Sequence, residues 1–345
     1  MLIKYFHQIK IDLLIMPLNT IMYHYVRNND DYEYNTFGRR VDEFYSQIEF
    51  FKKDSLVIDP NDIEQVLFYL SSDSNYAYLL TFDDGYLDHF YCAKFLFANN
   101  LSALFFPPQK IFDKQILSVN LIHLIVGNRI YSSEEILEKI IFYLKEKDIK
   151  IKFKKGSISI EKYLENYQEI NPLIFDSRNN LIIKRLLQRD INSSIVRSNL
   201  IDYLFKKIYK TSPEEYLKNF YLSKDDLKEM KRMRMCFGSH GVSHEWMSGT
   251  SPISQKDEID VSYNFLENQL GLSTNSHRIF CYPYGSYSEE TLKLLNKYKV
   301  KLGFTTEMGE SFINPNEQFS NLLLKRWDTN NYWDNKYKKP CINKN

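Results

Sequence analysis

Two hydrophobic periods alternate along the first part of the chain. Residues 14–25 form a mostly apolar run of strand length, followed by a polar loop over 27–34. Over 41–53 the period changes: Phe44, Ile48 and Phe51 recur at helical spacing, which predicts an amphipathic helix. The pattern then gives a strand at 76–82, a helix at 87–99 and a strand at 101–106. Strands separated by helices imply parallel pairing with crossover connections. The same alternation returns late in the chain. Strands are predicted at 233–237, 279–282 and 302–305, and helices at 256–269 and 288–298. Glu289 and Glu290 fall in the first turn of the last helix, where negative charge suits the helix dipole.

Between these stretches the pattern differs. Pro107 and Pro108 end the alternation, and helical segments follow at 134–147, 181–187, 194–209 and 213–220 with few glycines. The chain therefore reads as the first part of an α/β barrel (1–106), a mostly helical insertion (107–232), the second part of the barrel (233–330) and a loosely ordered polar tail (331–345).

Composition narrows the classes. The 345 residues carry 45 basic and 44 acidic side chains, a net charge of +1, so the basic excess of an electrostatic nucleic-acid binder is missing. Cys92, Cys236, Cys281 and Cys341 are far apart and make no CxxC pair, which argues against a disulfide framework or a thiolate zinc site and favours a reducing compartment. The apolar run at 11–16 is short and interrupted by Asp12, without the series that marks a signal peptide. No stretch reaches the ~18 apolar residues of a membrane span. The expectation is a cytoplasmic protein with no integral membrane segment.

Polar groups collect at the C-terminal ends of predicted strands, the face where α/β barrels place their active sites. Thr81-Phe82-Asp83-Asp84-Gly85 puts two carboxylates at a strand end. Side chains alternate along a strand, so one carboxylate is free to bind a cation while the other faces a substrate. His240-Gly241-Val242-Ser243-His244 spaces two imidazoles at i and i+4, so that they converge on one face of a helical turn and suit a zinc-type ion. No glutamate lies between them, which excludes the HExxH arrangement. Tyr282-Pro283-Tyr284-Gly285 ends a third strand and by itself reads as a Pro-Gly turn.

Taken together and in this order, TFDDG, SHGVSH and CYPYG resemble the three main motifs of the polysaccharide deacetylases, the NodB-homology or carbohydrate esterase family 4. The resemblance covers the first and third regions and leaves the insertion unaccounted for. It implies a distorted, incomplete (β/α) barrel and hydrolysis of an N-acetyl group on a carbohydrate. It implies that Asp84, His240 and His244 bind a divalent metal, zinc or another transition ion, and that Asp83 is the general base. The backbone N–H of Tyr284 would then help hold the oxyanion. An acetylated carbohydrate is the implied partner, and a cytoplasmic location points to a surface-polysaccharide or lipid-linked sugar precursor.

The chain departs from the family pattern twice. The arginine that usually precedes the third motif's proline and orients the base is replaced by Cys281, and Arg278 is out of register. The late Leu-x-His that usually supplies the acid is also missing, since 324–328 reads Leu-Lys-Arg-Trp-Asp. Met22-Tyr23-His24-Tyr25 resembles the Tyr-His opening of a subgroup that includes poly-N-acetylglucosamine deacetylases, which makes His24 the candidate acid. His89 is placed to support the aspartate loop, and His123 reads as structural. Trp246 and Trp327 are placed to stack on a sugar or to pack, and Arg326 is expected at the surface or on an anionic substrate group. The same motifs would serve a deformylase or an O-acetyl esterase, and a non-catalytic carbohydrate-binding barrel is the reading from another class.

Overall fold

The computed structural model describes residues 18–28, 38–71, 77–153, 156–166, 177–271, 278–334 and 339–340. The apolar run at 11–16, the start of the first predicted strand and Cys341 lie outside them. Two compact units emerge: residues 1–27, 37–113 and 219–345 form one, and residues 28–36 and 114–218 the other.

In chain order the strands are β1 (Leu18–Tyr23), β2 (Leu56–Val57), β3 (Ala77–Asp83), β4 (Leu104–Phe106), β5 (Ile151–Phe153), β6 (Gly156–Ile158), β7 (Cys236–Phe237), β8 (Ile279–Cys281), β9 (Leu302–Phe304) and β10 (Trp327–Asp328). In the first unit β10, β1, β3, β4 and β7 lie side by side, with every ladder parallel. β1 pairs with β3 along its whole length, so β2 and β4 must share the other edge, β2 at Ala77–Tyr78 and β4 at Thr81–Asp83. β8 and β9 make a separate parallel pair. Among the described residues that pair is flanked by single bridges, Ser239 to Phe280 on the β7 side and Phe304 to Leu324 on the β10 side. The result is a mixed α/β fold whose barrel is distorted and built of regular ladders over only part of its ring.

Strand parity sorts the core. Ala77 and Leu79 of β3 pack with Leu18, Leu104, Phe106, Ile279, Cys281, Leu302, Phe304 and Leu324 in one buried cluster. The opposite face of the sheet carries aromatics in register. Tyr23, Phe82 and Phe105 are cross-strand partners on β1, β3 and β4, and their rings stack at 4.9 and 4.7 Å. Such pairs each contribute on the order of 0.5–1.5 kcal/mol beyond area burial. Helix Val41–Asp54 covers them with Phe44, Ile48 and Phe51, all fully buried.

The second unit is helical, with the β5–β6 hairpin as its one sheet among the described residues. Serines start its helices: the side chains of Ser132, Ser177, Ser193 and Ser212 each accept from the backbone N–H three residues on. Ile136, Ile140 and Leu144 line one face of helix Ser133–Glu146, and Leu200, Leu204 and Ile208 one face of helix Ser194–Tyr209.

Several expectations are corrected. The helix predicted over 213–220 stops at Tyr216; the Phe220 carbonyl accepts from the Leu87 N–H, and the Leu222 N–H donates to the Gly85 carbonyl. Arg27, read as the start of a polar loop, is buried and pairs with Asp88 at 2.6 Å. The tail is packed over its described part: Trp333 is 4 % exposed and meets Phe50 edge-on at 5.2 Å. Trp333→Ala is expected to destabilise the first unit by about 3–5 kcal/mol, the usual cost of emptying a buried indole site. Urea unfolding tests this, and a loss within about 0.5 kcal/mol would show the tail to be surface decoration.

Candidate metal centre

The apolar filling of the barrel ends in a polar top layer. Asp83 continues the inward column of Ala77 and Leu79, and Arg326 shares the face of Leu324 two residues before it. Arg326 is 0 % exposed. Its Nη1 donates to Asp83 Oδ1 at 2.8 Å and its Nη2 to Oδ2 at 2.7 Å. Its Nε donates to the Thr305 carbonyl at 2.9 Å, and Nη2 also reaches Cys281 Sγ at 3.1 Å. The Cys281 thiol in turn donates to Asp83 Oδ2 at 3.5 Å. Burial alone would raise the Asp83 carboxyl. The charge and hydrogen bonds of Arg326, with smaller help from His240 and His24, outweigh burial and hold it at about 2. Arg326 is therefore a core residue and not a surface or substrate-binding arginine. The arginine missing from the third motif has a counterpart in Arg326, which stands just before β10 and reaches Asp83 from there. The signal available in the sequence was only its parity with Leu324.

Asp84 leaves the strand. Its φ of 75° and that of Gly85 at 70° turn the backbone sharply, so the two carboxylates diverge through a left-handed residue and not through continued strand alternation. A Cβ on Gly85 would meet Ile111 Cδ1 at 2.5 Å and Pro107 Cβ at 2.9 Å, so only glycine fits that turn. The Tyr86 hydroxyl donates to Asp84 Oδ2 at 2.5 Å. Asp84 Oδ1 is buried without a hydrogen-bond partner and lies 3.4 Å from His240 Nε2 and 3.3 Å from His244 Nε2. The two histidines converge through a loop in which Gly241 and His244 are left-handed (φ 72° and 57°), so the expected helical turn is absent. His240 Nδ1 lies 2.8 Å from the Cys281 carbonyl. Only an N–H can donate there, so in the neutral ring the lone pair is on Nε2, the nitrogen that faces Asp84.

This donor set fits a divalent ion. Around a four-coordinate centre with bonds of about 2.0–2.1 Å, ligand atoms stand about 3.3–3.4 Å apart. The two Asp84–imidazole separations have that length, and an ion there would compensate a carboxylate oxygen that is otherwise orphaned. Asp83, His240 and Cys281 also offer atoms within 4.8 Å of one another. There the Arg326 guanidinium already engages both Asp83 and Cys281, so a second cation is disfavoured.

His24 stands just past the end of β1, 31 % exposed, with Nε2 3.9 Å from Asp83 Oδ2. Helix Asp88–Ala98 fixes its backbone. Asp88 accepts from the Val26 N–H at 3.2 Å and pairs with Arg27, while His89 Nε2 bonds the His24 carbonyl at 2.8 Å. Tyr284 is left-handed (φ 57°) and half-buried; its ring meets His244 edge-on at 4.5 Å and stacks on Trp246 at 4.7 Å. Trp327 packs on Tyr332, and Arg278 pairs with Glu267. His123 lies in the second unit on helix Ser118–Gly127.

A sequence profile of the family described as polysaccharide deacetylase matches residues 127–303, just over half of the chain. The chain belongs to the polysaccharide deacetylase family. The matched stretch holds His240, His244 and Tyr284, while Asp83 and Asp84 lie outside it and join them through the fold. YxkH of Bacillus subtilis (strain 168), which carries a polysaccharide-deacetylase name, is 34 % identical over 89 residues, 26 % of this chain and 31 % of YxkH. The match thus spans about a third of that relative's length. Two solved structures share the fold at 16 % identity, each covered over 91 % of both chains. The Streptococcus pyogenes deacetylase PplD in complex with acetate has a TM-score of 0.52, and IcaB from Ammonifex degensii has 0.50.

Two measurements follow from this geometry. Arg326→Met leaves the Asp83 charge buried and unpaired, and the expected loss is about 3–5 kcal/mol in urea unfolding; a loss below about 1 kcal/mol would remove the pair from any central role. His89 is fully buried, and burial outweighs its partners to hold its imidazole at about 4. The unfolded chain then takes up a proton between about pH 6.5 and 4 that the folded chain refuses, so this contribution is complete above the unfolded value and lost as pH falls. Between about pH 7 and pH 4.5 the native chain should lose about 2–3 kcal/mol more than His89→Gln. Parallel curves for the two proteins would contradict a neutral buried His89.

Proposed function

We propose that this chain removes an N-acetyl group from a carbohydrate by metal-dependent hydrolysis, acting on a surface-polysaccharide or lipid-linked sugar precursor. The observation that carries the reading is Asp84 Oδ1, buried and unbonded, facing two imidazole nitrogens at 3.4 and 3.3 Å. Asp84, His240 and His244 would hold a divalent ion of the zinc class, which supplies carbonyl polarisation and a more acidic water when bound. Asp83 is kept ionised by Arg326 and lies between His24 and His240, where it accepts the proton of the attacking water. His24, on the open side of Asp83, donates a proton to the departing amine. The Tyr284 N–H, on the turn that leaves β8, donates to the oxyanion. The family and the shared fold support the reaction class, and the choice of acetamide over formamide or ester rests on the family alone.

The test combines zinc content with separate assays of acetate and formate release from N-acetylated, N-formylated and O-acetylated sugars. Asp84→Ala and His240→Ala are expected to lose zinc and turnover together. Asp83→Asn should keep zinc and lose at least about 100-fold in kcat, and His24→Ala about as much with zinc retained. Full turnover by Asp83→Asn would end its role as base. A zinc-loaded native chain that hydrolyses none of these sugars would leave a binding barrel in place of an enzyme.

A further inference from the structure

The loop between the two metal-facing imidazoles makes no helix or ladder of its own, yet its backbone groups are satisfied from outside. Glu258, on helix Pro252–Leu270, is 7 % exposed. Its Oε2 accepts from the Val242 N–H at 2.6 Å and the Ser243 N–H at 3.0 Å, and its Oε1 accepts from the Ser243 hydroxyl. One helical turn on, Ser262 Oγ meets Ser239 Oγ at 2.6 Å, and Ser239 Oγ accepts from the Gly241 N–H at 3.1 Å. The N–H groups of three successive loop residues, Gly241 to Ser243, therefore end on Glu258 or Ser239. The carbonyls of Gly241 and Val242 accept from Gln109 and Lys110 at 3.1 and 3.0 Å.

Glu258 has no ion pair among the described residues. Its negative charge is met by the N–H and O–H donors of this loop, and charge-assisted bonds of this kind are about twice as strong as neutral ones. The loop has shaped itself to the carboxylate. A Cβ on Gly241 would stand 2.7 Å from Glu258 Oε2, so the residue after His240 must be glycine for the carboxylate to reach the next two amides. His244, one residue beyond the held segment, takes its left-handed φ of 57° directly after it.

We propose that Glu258 is a positioning residue for the metal centre: it clamps Gly241–Ser243 so that His240 and His244 present Nε2 to Asp84 together. This rests on the metal reading above and adds a residue that touches neither ion nor substrate. The carboxylate acts through the loop's backbone. Its removal leaves three donors to water and lets the two imidazoles move independently.

The experiment is zinc affinity of the full chain, by competition with a chromogenic chelator, beside thermal melting of the zinc-free proteins. Glu258→Ala is expected to weaken zinc by about 10–100-fold, the usual effect of losing a group that orients a metal ligand. Glu258→Gln keeps an oxygen for the two amides and offers its NH2 to Ser243 Oγ, and should stay within about 3-fold of the native chain. A purely structural glutamate would lower the melting temperature of the zinc-free Ala variant and leave its zinc affinity unchanged, which overturns the proposal. Should Glu258→Ala fail to fold, Glu258→Asp decides: withdrawing the carboxylate by one methylene should cost about 10-fold in zinc affinity, and native affinity in that variant overturns the proposal. A native chain that binds no zinc overturns the metal reading as well, whereas tight native binding with an unaffected Ala variant overturns this proposal alone.

Discussion

Two consecutive carboxylates buried at the end of β3 set the central constraint on this structure. Asp83 and Asp84 are 1 % and 2 % exposed, and neighbouring anions cannot both stay ionised at that depth without positive charge beside each. Asp83 receives the Arg326 guanidinium in a two-point fork. Asp84 receives the Tyr86 phenol donor on one oxygen, and its other oxygen faces two imidazole nitrogens without a hydrogen bond, where a cation would complete it. The division gives the two residues different chemistry from nearly identical positions. One is a compensated carboxylate next to a partly exposed histidine, and the other has an oxygen open to a cation. The barrel supports this division because its apolar interior stops one layer below, so that Arg326 is desolvated and its charge acts at full strength on Asp83.

The same strand end organises the opposite face. Phe82, the outward neighbour of Asp83, stacks between Tyr23 and Phe105, and His89 sits edge-on to it at 5.3 Å. His89 and Asp88 then hold the backbone of the β1 exit, where His24 emerges. Arg27 adds its guanidinium over the Tyr25 ring at 4.5 Å and its ion pair to Asp88. The placement of His24 is thus fixed by packing against the helix that follows the aspartates. A histidine read in the sequence as a candidate acid is positioned by residues that carry no chemistry themselves.

What was legible in the sequence was local. TFDDG and HGVSH announce themselves because each motif brings its carboxylates or imidazoles within a few residues, and helices such as Val41–Asp54 and Ser194–Tyr209 follow directly from their hydrophobic period. What was hidden depends on register. Arg326 meets Asp83 across 243 positions of sequence, through strand pairing that no local pattern encodes. β2 is two residues long, too short for any period, and β7 shrinks to Cys236–Phe237 because the residues before it close the preceding helix instead. The i and i+4 spacing of the histidines suggested a helical turn. The actual loop reaches a similar convergence with two left-handed residues, since Gly241 must make room for Glu258.

Backbone strain is also present at the site, although left-handed residues such as Asn100, Lys114 and Lys299 lie outside it. Asp84, His244 and Tyr284 are left-handed without being glycine, a conformation costing on the order of 1–3 kcal/mol where a side chain resists it. Lys210, by comparison, caps helix Ser194–Tyr209, where a left-handed residue helps satisfy the last carbonyls. The three site residues have no helix end to serve. At Asp84 the strained turn is held from both sides, by its own N–H on the Phe106 carbonyl and by the Leu222 N–H on the Gly85 carbonyl. A glycine at 84 would relax the turn and lose the carboxylate. An extended residue there would keep a carboxylate but continue the strand, aiming it away from the imidazoles. Only a left-handed aspartate satisfies both conditions, so the strain at this position is the structural cost of turning one of two adjacent carboxylates toward His240 and His244.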